Sequence, residues 1–168
     1  MNLEVVAASA EDKPLIQRML ELYQYDFSTL ENSDLDAHGY FGYSYLDHYW
    51  VEPGRHPFIV RVNGKLAGFV LVSQFTVLPG NEWSVGEFFI LRRYRRQGIG
   101  RQVARYIFEK FRGKWEVREI EANQEARHFW EVVIGEYTGG QYEEAITNDE
   151  RWQGPIQYFD NTTKFYRE

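Results

Sequence analysis

Between Arg92 and Arg112 the chain carries seven arginines and Lys110 against the single acid Glu109, and two glycines, Gly98 and Gly100, interrupt the run. On an ordinary helix such a run is a solvated face; the glycines set this one apart. A Gly-x-Gly turn that opens a helix exposes backbone N–H groups without intrahelical acceptors, and the helix macrodipole adds partial positive charge at the same end. That is the chemistry of an anion site. With no Cβ at 98 and 100 the backbone can approach a phosphate, and Arg96 and Arg101 can add charge-assisted bonds of about 1.5–3 kcal/mol each. A pyrophosphate suits such a cradle. The loop matches neither the phosphate loop G-x-x-x-x-G-K-S/T nor the dinucleotide fingerprint G-x-G-x-x-G, because residue 103 is valine.

A second group of chemistry-bearing side chains lies between Ser28 and Gly54, where neither helical nor strand periodicity holds apart from a short helix near Tyr43 to Tyr49. Long irregular segments in compact domains tend to be functional or mobile. Asp36, His38, Tyr40, Tyr43, Tyr45, Asp47 and His48 suit a pocket for a cation or a polar acceptor, with Tyr40, Tyr43 and Asp47 as its binding residues. The same aromatics equally suit the cover of a core edge.

These groups need elements to position them. Leu3 to Ala7 reads as a strand, and Ser9 with Asp12 is a capping-box-like start to a helix carrying Pro14 in its first turns and Leu15, Ile16, Met19, Leu20, Tyr23 and Phe27 on one face. Phe58 to Val62 and Leu66 to Val72 flank Asn63-Gly64, the dipeptide that a two-residue type I′ hairpin requires. Trp83 to Leu91 follows, apolar on both faces at its centre and therefore expected in the middle of the sheet. After the glycine loop comes a helix with Ile99, Val103, Ile107 and Phe111 inward, ending at Phe111-Arg112-Gly113, then a strand from Trp115 to Glu121. Asn123 caps a last helix with Ala126, Phe129, Trp130, Val133 and Ile134 on one face, closed by Gly135. Gln141 to Thr147 and Trp152 to Asp160 form a closing hairpin. The order predicts an α/β fold (α+β in some schemes) around a mixed, mostly antiparallel sheet of about seven strands with helices on both faces.

At 168 residues the chain suits one domain and one site. Its 43% hydrophobic and 17% aromatic content is that of a folding chain, and with no cysteine it has neither disulfides nor a thiol nucleophile. No segment approaches the roughly 18 uncharged apolar residues of a membrane span, and no signal-like start is present, so a soluble cytoplasmic protein that does not engage membranes is expected. The net charge of −6 opposes general nucleic-acid binding. A reading of the arginine run as an RNA-binding face suffers further from the lack of interleaved aromatics.

Arg95-Arg96-Gln97-Gly98-Ile99-Gly100, after the apolar residues Phe88 to Leu91, resembles the acyl-CoA-binding signature Q/R-x-x-G-x-G/A of the GNAT superfamily of N-acetyltransferases. Asn123, Ala126 and Phe129 resemble that superfamily's second motif, and the order of strands and helices is also the superfamily's. The resemblance spans nearly the whole chain and is strongest from Trp83 to Gly135. It implies a single N-acetyltransferase domain over residues 1–168, with acetyl-CoA as co-substrate and no metal. By it, the amides of Gln97 to Arg101 hold the CoA pyrophosphate. The backbone of Phe88, Phe89 and Ile90 pairs with the pantetheine at a β-bulge that splays the sheet, and an amide near Ile90 stabilises the oxyanion.

Transfer to an amine needs a base, and Glu87, on the strand where the thioester would lie, is the best candidate. Burial beside Phe88 and Phe89 would raise its pKa and suit it to that role. Pairing with an arginine, or holding the acceptor's cation, remain equally open roles for Glu87. The superfamily's usual thiolate-protonating tyrosine stands seven residues after the motif asparagine, and that position is Trp130 here. The donor is then Tyr137, a tyrosine of the 40–45 segment, or water. The expected activity is acetyl transfer to a primary amine, with a cationic small molecule as acceptor. A non-catalytic acyl-CoA-binding module and acetylation of a peptide or protein amine are the alternatives, and a homodimer is expected by analogy.

Overall fold

The computed structural model describes residues 1–165. Its elements are β1 (Leu3–Ala7), α1 (Lys13–Glu31), β2 (Arg55–Val62), β3 (Lys65–Ser73), β4 (Trp83–Ile90), α2 (Ile99–Lys110), β5 (Lys114–Arg118), α3 (Gln124–Thr138), β6 (Glu143–Asn148) and β7 (Gln153–Asp160). The strands form one seven-stranded sheet in the order β1-β2-β3-β4-β5-β7-β6, which puts the apolar β4 at the centre. The sheet is mixed: β4 pairs with β5 in parallel, whereas β1 with β2, β5 with β7 and β6 with β7 are antiparallel. Contacts divide the chain into two compact units, Met1–Leu71 with Glu87–Arg95, and Val72–Gly86 with Arg96–Glu168.

In the first unit the Ser9 N–H donates to Asp12 Oδ2 at 2.9 Å, closing the expected capping box, and a 3-10 turn over Ala10–Asp12 leads into α1. Ile16, Met19 and Leu20 then bury against Ile59 of β2, Phe69 and Leu71 of β3 and Phe89 of β4. Each fully buried side chain of this kind contributes about 1.5–3 kcal/mol. The helix runs past Phe27 to Glu31, although Ser28 and Thr29 are weak helix formers. Its end is set by Asn32 in the left-handed region (φ 53°), with the Ser33 N–H reaching back to the Ser28 carbonyl at 3.1 Å. The helix expected near Tyr43–Tyr49 is a 3-10 turn over Leu46–Trp50.

Asn63 and Gly64 link β2 to β3 with φ values of 49° and 77°, the paired positive angles of the expected turn. Further along β3, Gly68 lets two backbones meet: a Cβ there would stand 2.0 Å from the Phe89 carbonyl oxygen. The Leu91 N–H donates to the Ala67 carbonyl at 2.8 Å just beside it. Backbone cannot yield as a flexible side chain does, so Gly68→Ala is expected to cost about 1–3 kcal/mol and lower the urea midpoint at an unchanged m-value. An unaltered midpoint would show that β3 and β4 are not held together as described.

In the second unit α2 buries Ile99, Val103, Ala104, Ile107 and Phe108. Phe111 is its C-cap, packed on Trp83 with ring centroids 4.7 Å apart. β5 stops at Arg118, short of Glu121, although the Glu119 N–H still reaches the Pro155 carbonyl at 3.2 Å. The fully buried Glu116 carboxylate fixes the loop before β4, accepting from the N–H groups of Val77 (2.8 Å) and Leu78 (3.0 Å) and from Asn81 Nδ2 (3.1 Å). α3 continues through Gly135 and ends instead at Gly139 (φ 63°).

Candidate active site and cofactor cradle

Glu87 and Phe89 share a parity on β4 and so project to one face. Phe89 sinks into the first unit's core at 4% exposure, while Glu87 stays half-buried. The Tyr43 hydroxyl donates to Glu87 Oε1 at 3.3 Å, and the Tyr23 hydroxyl, from α1, also hydrogen-bonds Glu87. The Tyr23 ring lies 4.6 Å from Phe27 and 5.5 Å from Phe89, centroid to centroid. Burial first, and then the Glu87 carboxylate, push both phenols well above their usual range, so both remain protonated donors. A phenol so raised is a poor acid for a thiolate and a dependable clamp for a carboxylate.

The three acceptor candidates part company. Tyr43 and Asp47 line one cavity of about 240 Å³ together with Lys13, Gln17 and Glu21 of α1. Within it Asp47 forms an ion pair with Lys13. Tyr40 stands outside, 57% exposed, its N–H held by Asp36 Oδ1 at 3.0 Å. The loop that carries them is tied to α1, because Glu21 accepts from the N–H groups of Phe41 (2.8 Å) and Gly42 (3.1 Å), and Gln24 Nε2 donates to the Gly42 carbonyl. From Met19 to Gly54 the chain has seven acidic residues and no lysine or arginine, a field that favours cations.

Along β4, Phe88 is half-buried and Ile90 is buried at 7% exposure. The signature arginine Arg95 is exposed yet folds back on the protein: its Nε donates to the Ile90 carbonyl at 2.7 Å and its Nη2 to Asp26 Oδ2 at 2.8 Å. Arg92 meets the other Asp26 oxygen at 2.5 Å. Burial pushes the Asp26 carboxyl up, but the bonds from Arg95 and Arg92 outweigh it and hold the group below the usual carboxylate range.

In the second unit, Arg96 and Gly98 both take left-handed backbone angles (φ 60° and 75°), and Gly98 is the N-cap of α2. A non-glycine residue in that region is strained, and such strain collects at ligand-binding turns. The first intrahelical bond runs from the Gln102 N–H to the Gly98 carbonyl at 3.2 Å. Helix geometry therefore leaves the amides of Gly98, Ile99, Gly100 and Arg101 without intrahelical acceptors, as an anion cradle requires. A Cβ on Gly98 would meet nothing nearer than 4.0 Å, so the left-handed angle, rather than crowding, calls for glycine. Gln97 and Arg96 are exposed, and Arg96 makes no ion pair among the described residues, whereas Arg101 pairs with Glu136 of α3 at 3.1 Å. The loop fits a diphosphate held chiefly by main-chain donors.

On α3, Asn123 Oδ1 accepts from the Ala126 N–H at 3.0 Å and caps the helix. Phe129 stacks edge-on against Trp130, which is buried at 5% exposure. Tyr137 lies in the last turn of α3, about 20 Å along the axis from Asn123. Its ring packs on Phe108 (5.2 Å) and Phe159 (5.8 Å), and its hydroxyl accepts from Asn161 Nδ2 at 3.1 Å. Burial raises it above the ordinary phenol value.

Three residues escaped notice in the sequence. Tyr23 reads as core from its helical spacing, although a tyrosine in place of phenylalanine at such a position signals a buried partner for its hydroxyl. Asp26 meets arginines that lie 66 and 69 positions away. Glu119, just past β5, is 4% exposed, and neither of its oxygens, nor Gln157 Oε1, has a hydrogen-bond donor among the described residues. Burial pushes the Glu119 carboxyl up to about 8; Gln157 pulls the other way, and Glu144 and Glu131 add to the rise. The Gln157 side-chain N–H is committed to Glu144 at 2.8 Å, so burial prevails.

The model of the acetyltransferase (GNAT) family matches residues 16–135. No protein of curated function matches the sequence. Among solved structures, an acetyltransferase from Thermus thermophilus superposes with a TM-score of 0.69 at 14% identity, over 95% of this chain and 97% of that one. The ribosomal-protein-S18-alanine N-acetyltransferase from Escherichia coli gives 0.61 at 14% identity over 96% of each chain. PaiA N-acetyltransferase from Thermoplasma acidophilum, solved in complex with coenzyme A, gives 0.59 at 14% identity over 95% of this chain and 99% of that one. At such identity the likeness is one of fold.

Proposed function

The chain belongs to the acetyltransferase (GNAT) family, and from that premise we propose that it moves the acetyl group of acetyl-CoA to a primary amine of a cationic small molecule, by direct attack in a ternary complex. The observation that carries the acceptor half is the Tyr43–Glu87 contact, whose tyrosine lies in a segment that has acids and aromatics but no lysine or arginine from Met19 to Gly54. Glu87 takes the proton of the entering ammonium. The neutral nitrogen then attacks the thioester carbon and a C–N bond forms; the nitrogen, now cationic, gives up its second proton through water as the C–S bond breaks, and the departing CoA thiolate takes that proton. The Ile90 N–H stabilises the oxyanion that develops on the carbonyl oxygen.

The amides of Gln97 to Arg101, with the Arg96 guanidinium, hold the pyrophosphate, while the peptide groups of Phe88 and Ile90 receive the pantetheine. Asn123 and Phe129 complete the cofactor contacts at the start of α3. Tyr137, bonded to Asn161 among phenylalanines, serves packing in this scheme. The whole span 1–168 is assigned to one transferase domain, a reading supported by the 95–97% coverage of the Thermus structure's superposition. No described helix is long and apolar enough to cross a membrane. Dependence on acetyl-CoA favours the cytoplasm.

Release of free CoA, followed with a panel of polyamines, amino sugars, lysine derivatives and lysine-bearing peptides, tests the proposal. Turnover with small diamines or polyamines is the expected result. Calorimetric binding of acetyl-CoA without transfer to any amine would make the chain a cofactor-binding module, a role the tryptophan at 130 would suit. Turnover restricted to peptides would move the acceptor class.

A further inference from the structure

We propose that Arg95 is a positioning residue of the transfer reaction, acting through the Ile90 carbonyl and Asp26, and not a ligand of the cofactor phosphates. The inference rests on the acetyl-transfer reading for the purpose of the device and on geometry for the device itself.

The Phe89 carbonyl faces Gly68 of β3, so the trans peptide joining 89 and 90 puts the Ile90 N–H on the opposite side of β4. The Leu91 N–H bonds the Ala67 carbonyl of β3, so the next peptide puts the Ile90 carbonyl on that same opposite side. There Arg95 Nε takes the carbonyl at 2.7 Å. The guanidinium is held by Asp26 of α1 at 2.8 Å and lies over the Phe89 ring at 5.6 Å from its centroid. Asp26 is only 19% exposed and is shared with Arg92, so the pair is fixed by more than one bond. Arg95 is thus a fixed cation on the same side of β4 as the Ile90 N–H, the donor that the acetyl-transfer reading assigns to the oxyanion. It orients that donor through the carbonyl of the same residue and adds positive potential where charge appears. It also couples α1, which carries Tyr23 against Glu87, to the far end of β4. A lysine cannot reproduce this, since a single ammonium lacks the planar fork that spans both acceptors.

The test uses Arg95→Lys and Asp26→Asn in the full chain, with Arg96→Ala for comparison. Arg95→Lys and Asp26→Asn are each expected to lower kcat about tenfold while leaving the calorimetric Kd for CoA within about twofold. Both should shift the Ile90 and Leu91 amide resonances, and the double variant should be little worse than either single one. Arg96→Ala should instead weaken CoA binding. A tenfold weaker Kd for CoA in Arg95→Lys with Asp26→Asn normal would overturn the proposal, as would Ile90 amide resonances unmoved by both. If the wild-type protein turns over no amine, the acetyl-transfer reading falls by itself, and the binding and amide data still decide whether Arg95 holds the strand or the phosphate.

Discussion

Glu87→Gln is expected to keep acetyl-CoA binding and to lose about 10²–10⁴-fold in kcat/KM for the amine at neutral pH. Glutamine matches the shape of glutamate and still offers an oxygen to the Tyr43 hydroxyl, so the clamp that holds residue 87 survives. What it lacks is the capacity to take a proton. An alkylamine with a pKa near 10.4 is almost wholly ammonium at pH 7, and the enzyme must deprotonate it. The deficit should therefore shrink as pH rises toward the amine's own pKa, where solvent supplies the neutral nucleophile. A pH profile of kcat/KM for both proteins checks this. A raised amine KM with kcat retained would make Glu87 the acceptor's counter-ion, and an unchanged kcat at every pH would remove it from the chemistry.

Glu119→Gln should stabilise the fold in alkaline solution. The native carboxyl titrates at about 8, against an ordinary value of 4.5, so the folded chain binds this proton more tightly than the unfolded one. Stability linked to Glu119 is accordingly present in full below pH 4.5, declines as pH rises from there to 8, and stays lost above that. The groups facing it come from three elements: Arg127 and Glu131 on α3, Glu144 on β6 and Gln157 on β7. Arg127 is engaged by both Glu131 and Glu144, so its pull on Glu119 only partly offsets burial. A glutamine amide supplies at every pH the donor that the carboxyl supplies only when protonated, and the Gln157 Oε1 beside it lacks one. Urea melts at pH 5 and pH 9 should show a wild-type decline on the order of 3 kcal/mol that the variant largely abolishes. Parallel declines in both proteins would locate the sensitivity elsewhere.

Local rules carried the reading of the sequence as far as local physics decides the outcome. The Asn63-Gly64 turn, the Ser9–Asp12 capping box and the glycine-rich entry to α2 are each written in a few adjacent residues, and each is found where its residues stand. Helix ends were less legible: α1 outlasts its apolar stripe because its cap lies at Asn32, and α3 passes Gly135 because its left-handed cap lies at Gly139. The candidate site was legible as a list of residues and not as a set of partners. Tyr43 reaches Glu87 across 44 positions and Arg95 reaches Asp26 across 69, and no periodicity encodes pairings of that range. Glu119 was silent for the same reason, since its burial is the work of strands and a helix that lie apart in the chain.

If the cavity beside Tyr43 receives the proposed cationic acceptor, the Lys13–Asp47 pair within it gives acceptor entry the character of ion exchange. On the proposed reading, an arriving ammonium would not meet a bare carboxylate but would trade places with a resident ammonium of the protein's own. Asp47 is 74% exposed, and an ion pair so open to solvent is worth at most about 1 kcal/mol, so the resident is easily dislodged. Selection there turns on the difference between two amines, and reach and hydrogen bonding decide that difference more than charge does.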